Sequence, residues 1–155
     1  IAGAVVKQFL ELDLKLAMVE TNTGGSVARR LTGVSDGLSV LKQSLTMSLE
    51  GAGEALLPNA KGPIALSAAS AEILAARIQA DTVGGIGMAI IGDEDPVVGP
   101  YSERTGNTYI AVSGSDGTRD GQLPFAGISA DARTRTTNFA LDLLRRYLLN
   151  LGPRS

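Results

Sequence analysis

Leu14-Lys15-Leu16-Ala17-Met18-Val19-Glu20, continued by Thr21-Asn22-Thr23-Gly24-Gly25, decides the architecture. Leu14, Ala17, Met18 and Val19 form an apolar run that predicts a short strand ending at Glu20, and the polar stretch closed by two glycines predicts a tight turn. Ser26 to Leu31 then has the composition of a helix stopped near Gly33. A strand, a glycine turn and a helix in immediate succession are the grammar of an α/β domain.

Upstream, Val5, Val6, Phe9 and Leu10 recur at helical spacing and predict a helix over Ala4 to Leu12. Downstream, Leu38 to Ser48 alternates loosely as a strand would, and Gly51 to Leu57 suits a short helix before Pro58. After the Gly62-Pro63 reset, Ser67 or Ser70 caps a helix running to about Ala80. Its buried side is expected to carry Ile73, Leu74 and Ile78, and Gly84-Gly85 breaks it. Ile86 to Ile91 is continuously apolar, as a strand covered on both faces requires, and Gly92 to Thr105 reads as a long loop rich in Asp, Pro and Gly. Thr108 to Ser113, the turn Gly114-Ser115-Asp116-Gly117 and Thr118 to Phe125 predict a hairpin. A final helix follows, with Ser129 as N-cap, Asp131 in its first turn and Gly152-Pro153 as terminator. Phe139, Leu143 and Tyr147 beside Ala140, Leu144 and Leu148 form its buried stripe. The sum is an α/β layered domain with a mixed sheet, read as one domain over residues 1–155.

Composition narrows the chemistry. The 155 residues carry 44% hydrophobic and 19% charged side chains with a net charge of -2, which describes a folded protein and offers no basic excess for nucleic acid. With no Cys and no His there is no thiolate, no imidazole base and no zinc site of the usual kind, so catalysis would fall to hydroxyls, carboxylates, Lys, Arg or backbone amides. No metal and no cofactor are expected. No apolar run approaches a membrane span, no leader pattern follows Ile1, and the absence of Cys fits a reducing cytosol. A trimmed, soluble, cytoplasmic chain without membrane contacts is the expectation.

Four stretches carry a family resemblance: Glu20-Thr21-Asn22-Thr23-Gly24-Gly25, the segment from Gly87 through Pro96 to Gly106, Thr108-Tyr109-Ile110-Ala111-Val112, and Ala140-Leu141-Asp142-Leu143-Leu144-Arg145-Arg146-Tyr147-Leu148. In order and spacing, over roughly Lys15 to Tyr147, they resemble the CinA C-terminal family, which includes the nicotinamide mononucleotide deamidases. The resemblance implies a three-layer αβα sandwich, commonly dimeric, and an ancestry in amide hydrolysis. It also implies a Ser nucleophile in the first motif (A-E-S-C-T-G-G), assisted by the Tyr and Lys of a second (Y-S-N-E-A-K). A third motif, T-G-I-A-G-P-G-G, would hold phosphate through backbone amides.

The chemical positions differ here. The resemblance sets Thr21 at the Ser, Asn22 at the Cys, Met47 at the Tyr, and Ala52, or its neighbour Gly53, at the Lys. Thr21 keeps a hydroxyl and is the candidate nucleophile, but a hydroxyl needs a proton acceptor. Lys7, Lys15, Lys42 and Lys61 are the only lysines, and Lys42 sits nearest in sequence to Met47. At the third motif Ile91-Gly92-Asp93-Glu94-Asp95-Pro96 brings three carboxylates, which repel phosphate unless a cation compensates. They could ligate a hard cation, although a solvated acidic loop is the favoured reading. Asn22, Thr23, Gly24, Gly25 and Gly92 remain as candidate ligand-binding positions, suited to a small nucleotide-like or amide ligand.

Around that site the plainer readings are structural. Arg133 and Arg135, two apart, suit a solvated helix surface; Arg145 and Arg146 complement a helix dipole; Tyr109 packs in a core or an interface. The leading expectation is a non-catalytic member of the family serving as a binding or oligomeric module, a homodimer by resemblance. The alternative is an active amidohydrolase, a nicotinamide mononucleotide deamidase or a related enzyme, using Thr21 and a relocated base.

Overall fold

A computed structural model describes residues 1–94, 97–98, 104–124 and 126–151. The elements run α1 (Ala2–Leu12), β1 (Leu16–Glu20), α2 (Ser26–Thr32), α3 (Gly37–Val40), β2 (Leu41–Thr46), α4 (Leu49–Leu56), α5 (Ala68–Ala80), β3 (Ile86–Gly92), β4 (Val97–Val98), β5 (Arg104–Thr105), β6 (Thr108–Gly114), β7 (Gly117–Leu123) and α6 (Ala130–Asn150). Five strands form one sheet in the order β2-β1-β3-β6-β7, with β4 and β5 paired as a separate antiparallel ribbon. The pairs β2-β1 and β1-β3 are parallel, and β3-β6 and β6-β7 antiparallel, giving the mixed sheet that the sequence implied.

The sheet is covered on both faces. Phe9, Leu16, Met18, Leu31, Ile90 and Tyr147 join the core against α1, α2 and α6, while Ala17, Val19, Leu74, Ile78 and Ile91 join the core against α4 and α5. Alternate residues of β1 feed opposite cores, which is why its five positions are all buried. Three layers, helices on sheet on helices, result.

The structure shifts several expected boundaries. Leu38 belongs to the helical turn α3 and β2 starts only at Leu41, because Asp36 adopts a left-handed conformation (φ 66°) that opens a short helix first. Helix α4 begins at Leu49, where the Ser48 side chain accepts a hydrogen bond from the Gly51 amide. Ser67, not Ser70, is the side-chain cap of α5. Ile73 is exposed rather than buried; the side of α5 packed on the sheet carries Ala71, Leu74, Ala75 and Ile78. Gly92 closes β3, and the segment read as one loop contains β4 and β5. Gly114 pairs with Gly117, so the hairpin turn narrows to Ser115 and Asp116. Ser129 caps α6 as expected, and Gly152-Pro153 lies outside the described residues. Tyr109 packs against the α4/α5 core. Arg145 and Arg146 both pair with Asp142, at 2.9 and 3.1 Å, one to two turns before the end of α6.

Helix α5 also crosses toward the edge strand β7, bringing Glu72 to Asp120. A hydrogen bond between the two carboxyls, then desolvation and the Asp120 charge, hold Glu72 above the usual carboxylate range. The folded state thus binds the Glu72 proton more tightly than the unfolded chain does. The resulting stability is greatest below the ordinary carboxylate pKa and is lost as pH rises through the raised value. Glu72→Gln, which donates to Asp120 without needing a proton, should flatten this dependence and raise the melting temperature near neutral pH. Parallel melting curves for parent and variant from pH 4 to 7 would contradict that assignment.

Candidate functional site

Parallel β1, β2 and β3 all end at one edge of the sheet, and β6 begins there: Glu20 lies level with Thr46 and Ile90, and Gly92 opposite Thr108. Ligands of open α/β sheets bind outside such carboxyl ends. The turn between β1 and α2 needs left-handed backbone at Gly24 (φ 61°) and Gly25 (φ 91°), a conformation glycine adopts without steric cost.

Glu20 organises this turn. It is fully buried, and its carboxylate accepts from the Thr23 hydroxyl at 2.6 Å, the Val27 amide at 3.0 Å and the Ala28 amide at 3.1 Å. Gly25, the N-cap of α2, has no side chain to bond those amides, and Glu20 does so from the preceding strand. The candidate anion-holding amides are thus largely committed: Val27 and Ala28 to Glu20, Gly24 to the Thr21 carbonyl, and Ser26 to the Thr23 carbonyl. In the sequence Glu20 is an acidic residue that closes an apolar run and opens the first family-like stretch, and neither feature shows that it caps α2.

Thr21 is buried to 7% exposure, and its amide donates to the Ile90 carbonyl, extending the β1-β3 ladder. Its hydroxyl accepts from the Gly92 amide at 3.2 Å and donates to the Asn22 side-chain oxygen at 3.3 Å. The Asn22 amide group in turn donates to the Thr108 hydroxyl at 3.1 Å. Gly92 fits this network with no room to spare: a Cβ there would stand 2.5 Å from Asn22 Nδ2 and 2.6 Å from Thr108 Oγ1. Asn22 and Thr23 are also buried, so Gly24 and Gly25 are the candidate binding positions most open to solvent.

Among the described residues, no Lys, Arg or Tyr is a hydrogen-bond partner of the Thr21 hydroxyl. Lys42 lies level with the start of β1, beside the register shift between Leu16 and Ala17. At about 3.3 Å per residue that sets it roughly 13 Å along the strand from Glu20, at the opposite edge of the sheet. Lys15 is spent on the Ser39 carbonyl, Lys7 pairs with Glu11, and Lys61 is exposed beyond α4. Met47 packs partly, and Ala52 fully, into the α4/α5 core. The Asp93 carboxylate accepts from the Asn107 amide at 3.2 Å, Glu94 is exposed and Asp95 lies outside the described residues; no metal-holding cluster occurs among the described residues.

Arg133 corrects the surface reading. Its backbone lies in the first turn of α6, directed at the β1-α2 turn. Its Nε donates to the Asn22 carbonyl at 3.1 Å, and its guanidinium covers Gly24, 2.6 Å from where a Cβ would stand. Arg135, two residues on, is exposed. The two-residue spacing does separate them, but it cannot say that one of the two faces meets the glycine turn.

A family model described as the CinA C-terminal domain matches residues 1–148. The CinA-like protein of Geobacter sulfurreducens is 34% identical over 152 residues, covering 94% of this chain and 36% of its own length. A putative competence-damage inducible protein of a Thermoanaerobacter species is 28% identical over 151 residues, covering 95% of this chain and 37% of its own. The chain therefore spans little more than a third of these curated relatives. Among solved structures, a CinA superfamily protein from Klebsiella pneumoniae matches with a TM-score of 0.80 at 19% identity, over 96% of each chain. A competence or damage-inducible protein from Enterobacter asburiae gives 0.79 at 22% identity, over 95% of each. At such identities the likeness is one of fold. No helix among the described residues is long and apolar enough to cross a membrane.

Proposed function

The chain belongs to the CinA C-terminal domain family, and we propose that it is a non-catalytic member, serving as a binding or oligomeric module built on a deamidase scaffold. The observation that carries this reading is the state of the Thr21 hydroxyl. Its proton meets an amide oxygen, which is not a base, and one of its two lone pairs is engaged by the Gly92 amide. General-base assistance is worth about 100- to 10,000-fold, and loss of a nucleophile's activating partner costs about a million-fold where the residues act as a unit. With Met47 and Ala52 at the two assisting positions, little rate remains to be recovered. The surviving surface, Gly24 under the Arg133 guanidinium with Gly25 next to it, suits the carbonyl or another acceptor group of a small amide or nucleotide-like ligand.

Ammonia release from nicotinamide mononucleotide, followed with purified protein and with Thr21→Val, tests the proposal. Both are expected to match the protein-free control. Turnover by the parent that Thr21→Val abolishes would establish instead an amidohydrolase with Thr21 as nucleophile. The homodimer expected of this module is read by sedimentation; a monomer across micromolar concentrations would leave only the binding role.

A further inference from the structure

Between α2 and the amino-terminal half of α6 lies a cleft of about 390 Å³ lined by three arginines: exposed Arg29 and Arg30 from α2, and Arg133 from α6. Among the described residues no carboxylate lines it, and none of the three arginines forms an ion pair. In a protein of net charge -2 such a concentration of uncompensated cations is a local inversion of sign.

Two of the guanidiniums are held in place. Arg30 donates to the Asn138 side-chain oxygen at 3.0 Å, and Arg133 Nε donates to the Asn22 carbonyl at 3.1 Å, so much of the side-chain ordering cost is met before any ligand arrives. The wall between the helices carries Ser26 and Thr137, whose hydroxyls bond each other at 2.6 Å, and half-exposed Ile128 adds an apolar surface. Arg29 and Arg30 sit in the last turn of α2, where the helix dipole favours positive charge, which helps the fold tolerate the cluster.

We propose that this cleft binds a small organic phosphomonoester, its phosphoryl group held by Arg29, Arg30 and Arg133 and its carbon skeleton resting on Ile128. Guanidinium groups present paired donors that match phosphate oxygens, and several in one cleft concentrate the attraction. The cleft adjoins the glycine turn, since Arg133 reaches both, but neither Thr21 nor Gly92 lines it. Its fate is therefore independent of whether Thr21 has any chemistry.

Calorimetric titration with phenyl phosphate at low ionic strength tests the assignment. Saturable one-site binding is expected, weakening as salt is raised, and the double variant Arg29→Gln/Arg30→Gln should bind at least about tenfold more weakly. Absence of saturable binding at millimolar phenyl phosphate would overturn the proposal, as would unchanged affinity in the folded double variant or in high salt. A short single-stranded oligonucleotide bound more tightly than phenyl phosphate through the same arginines would reassign the cleft to nucleic acid and equally overturn it.

Discussion

Glu20→Ala should destabilise the fold by about 3 kcal/mol, because it strips the acceptor from two buried donors and one part-buried donor at once, and bonds to charged groups are worth about 1.5–3 kcal/mol each. The losses do not simply add. Removing the carboxylate also relieves the cost of burying a charge that, among the described residues, meets hydroxyl and amide donors and no cation. For a chain of this length the melting temperature should fall by about 6–12 °C. Glu20→Gln keeps the shape and one acceptor oxygen, but turns an NH2 group toward amide donors, and should lose roughly half as much. Urea denaturation of the three proteins checks the order. A Glu20→Ala protein within about 1 kcal/mol of the parent would mean that the turn holds itself without the carboxylate.

Gly92→Ala tests the other half of the site. Gly92 lies in β3 and does not use the left-handed region, so alanine brings no backbone strain; its cost is steric. The new methyl would press on Asn22 Nδ2 and Thr108 Oγ1 and force apart the hydrogen bond that joins them. Overpacking of this kind costs about 1–3 kcal/mol, and a disrupted buried hydrogen bond adds to it, for an expected loss of about 2–4 kcal/mol. Asn22→Ala vacates the space, so the double variant Asn22→Ala/Gly92→Ala should be more stable than the sum of the single losses allows. Strict additivity in the cycle, or a negligible loss in Gly92→Ala alone, would show that the network has slack.

Both predictions concern groups that the sequence displays without explaining. Glycine at position 92 reads from sequence as the start of a loop and a candidate ligand-binding position, and Glu20 as the end of a strand that opens a family-like stretch. Their weight appears only when Thr108, which is 86 residues from Asn22, is laid opposite Gly92, and when α2 swings its amides back over β1. The same holds for Arg133. Its neighbours in sequence are solvent-facing helical residues, and its partners, Asn22 and Gly24, are more than a hundred positions away.

What sequence alone determined here is what local pattern and motif order can carry. Apolar periods of two and of 3.6 residues set the strands and helices, the glycine pair set the β1-α2 turn, and motif order pointed to the family and its layered sheet. These depend on interactions within a few residues, or on residue identity itself. The resemblance also implied Thr21, Met47 and Ala52 or Gly53 at the family's chemical positions, an expectation that rests on residue identity and needs no fold. Only the tertiary structure decided where the remaining polar groups spend their hydrogen bonds: Glu20 on the α2 amides, the Thr21 hydroxyl on Gly92 and Asn22, Arg133 on the glycine turn, and Lys42 at the far edge of the sheet. Such pairings are set by strand register and helix placement, long-range quantities that no window along the chain contains.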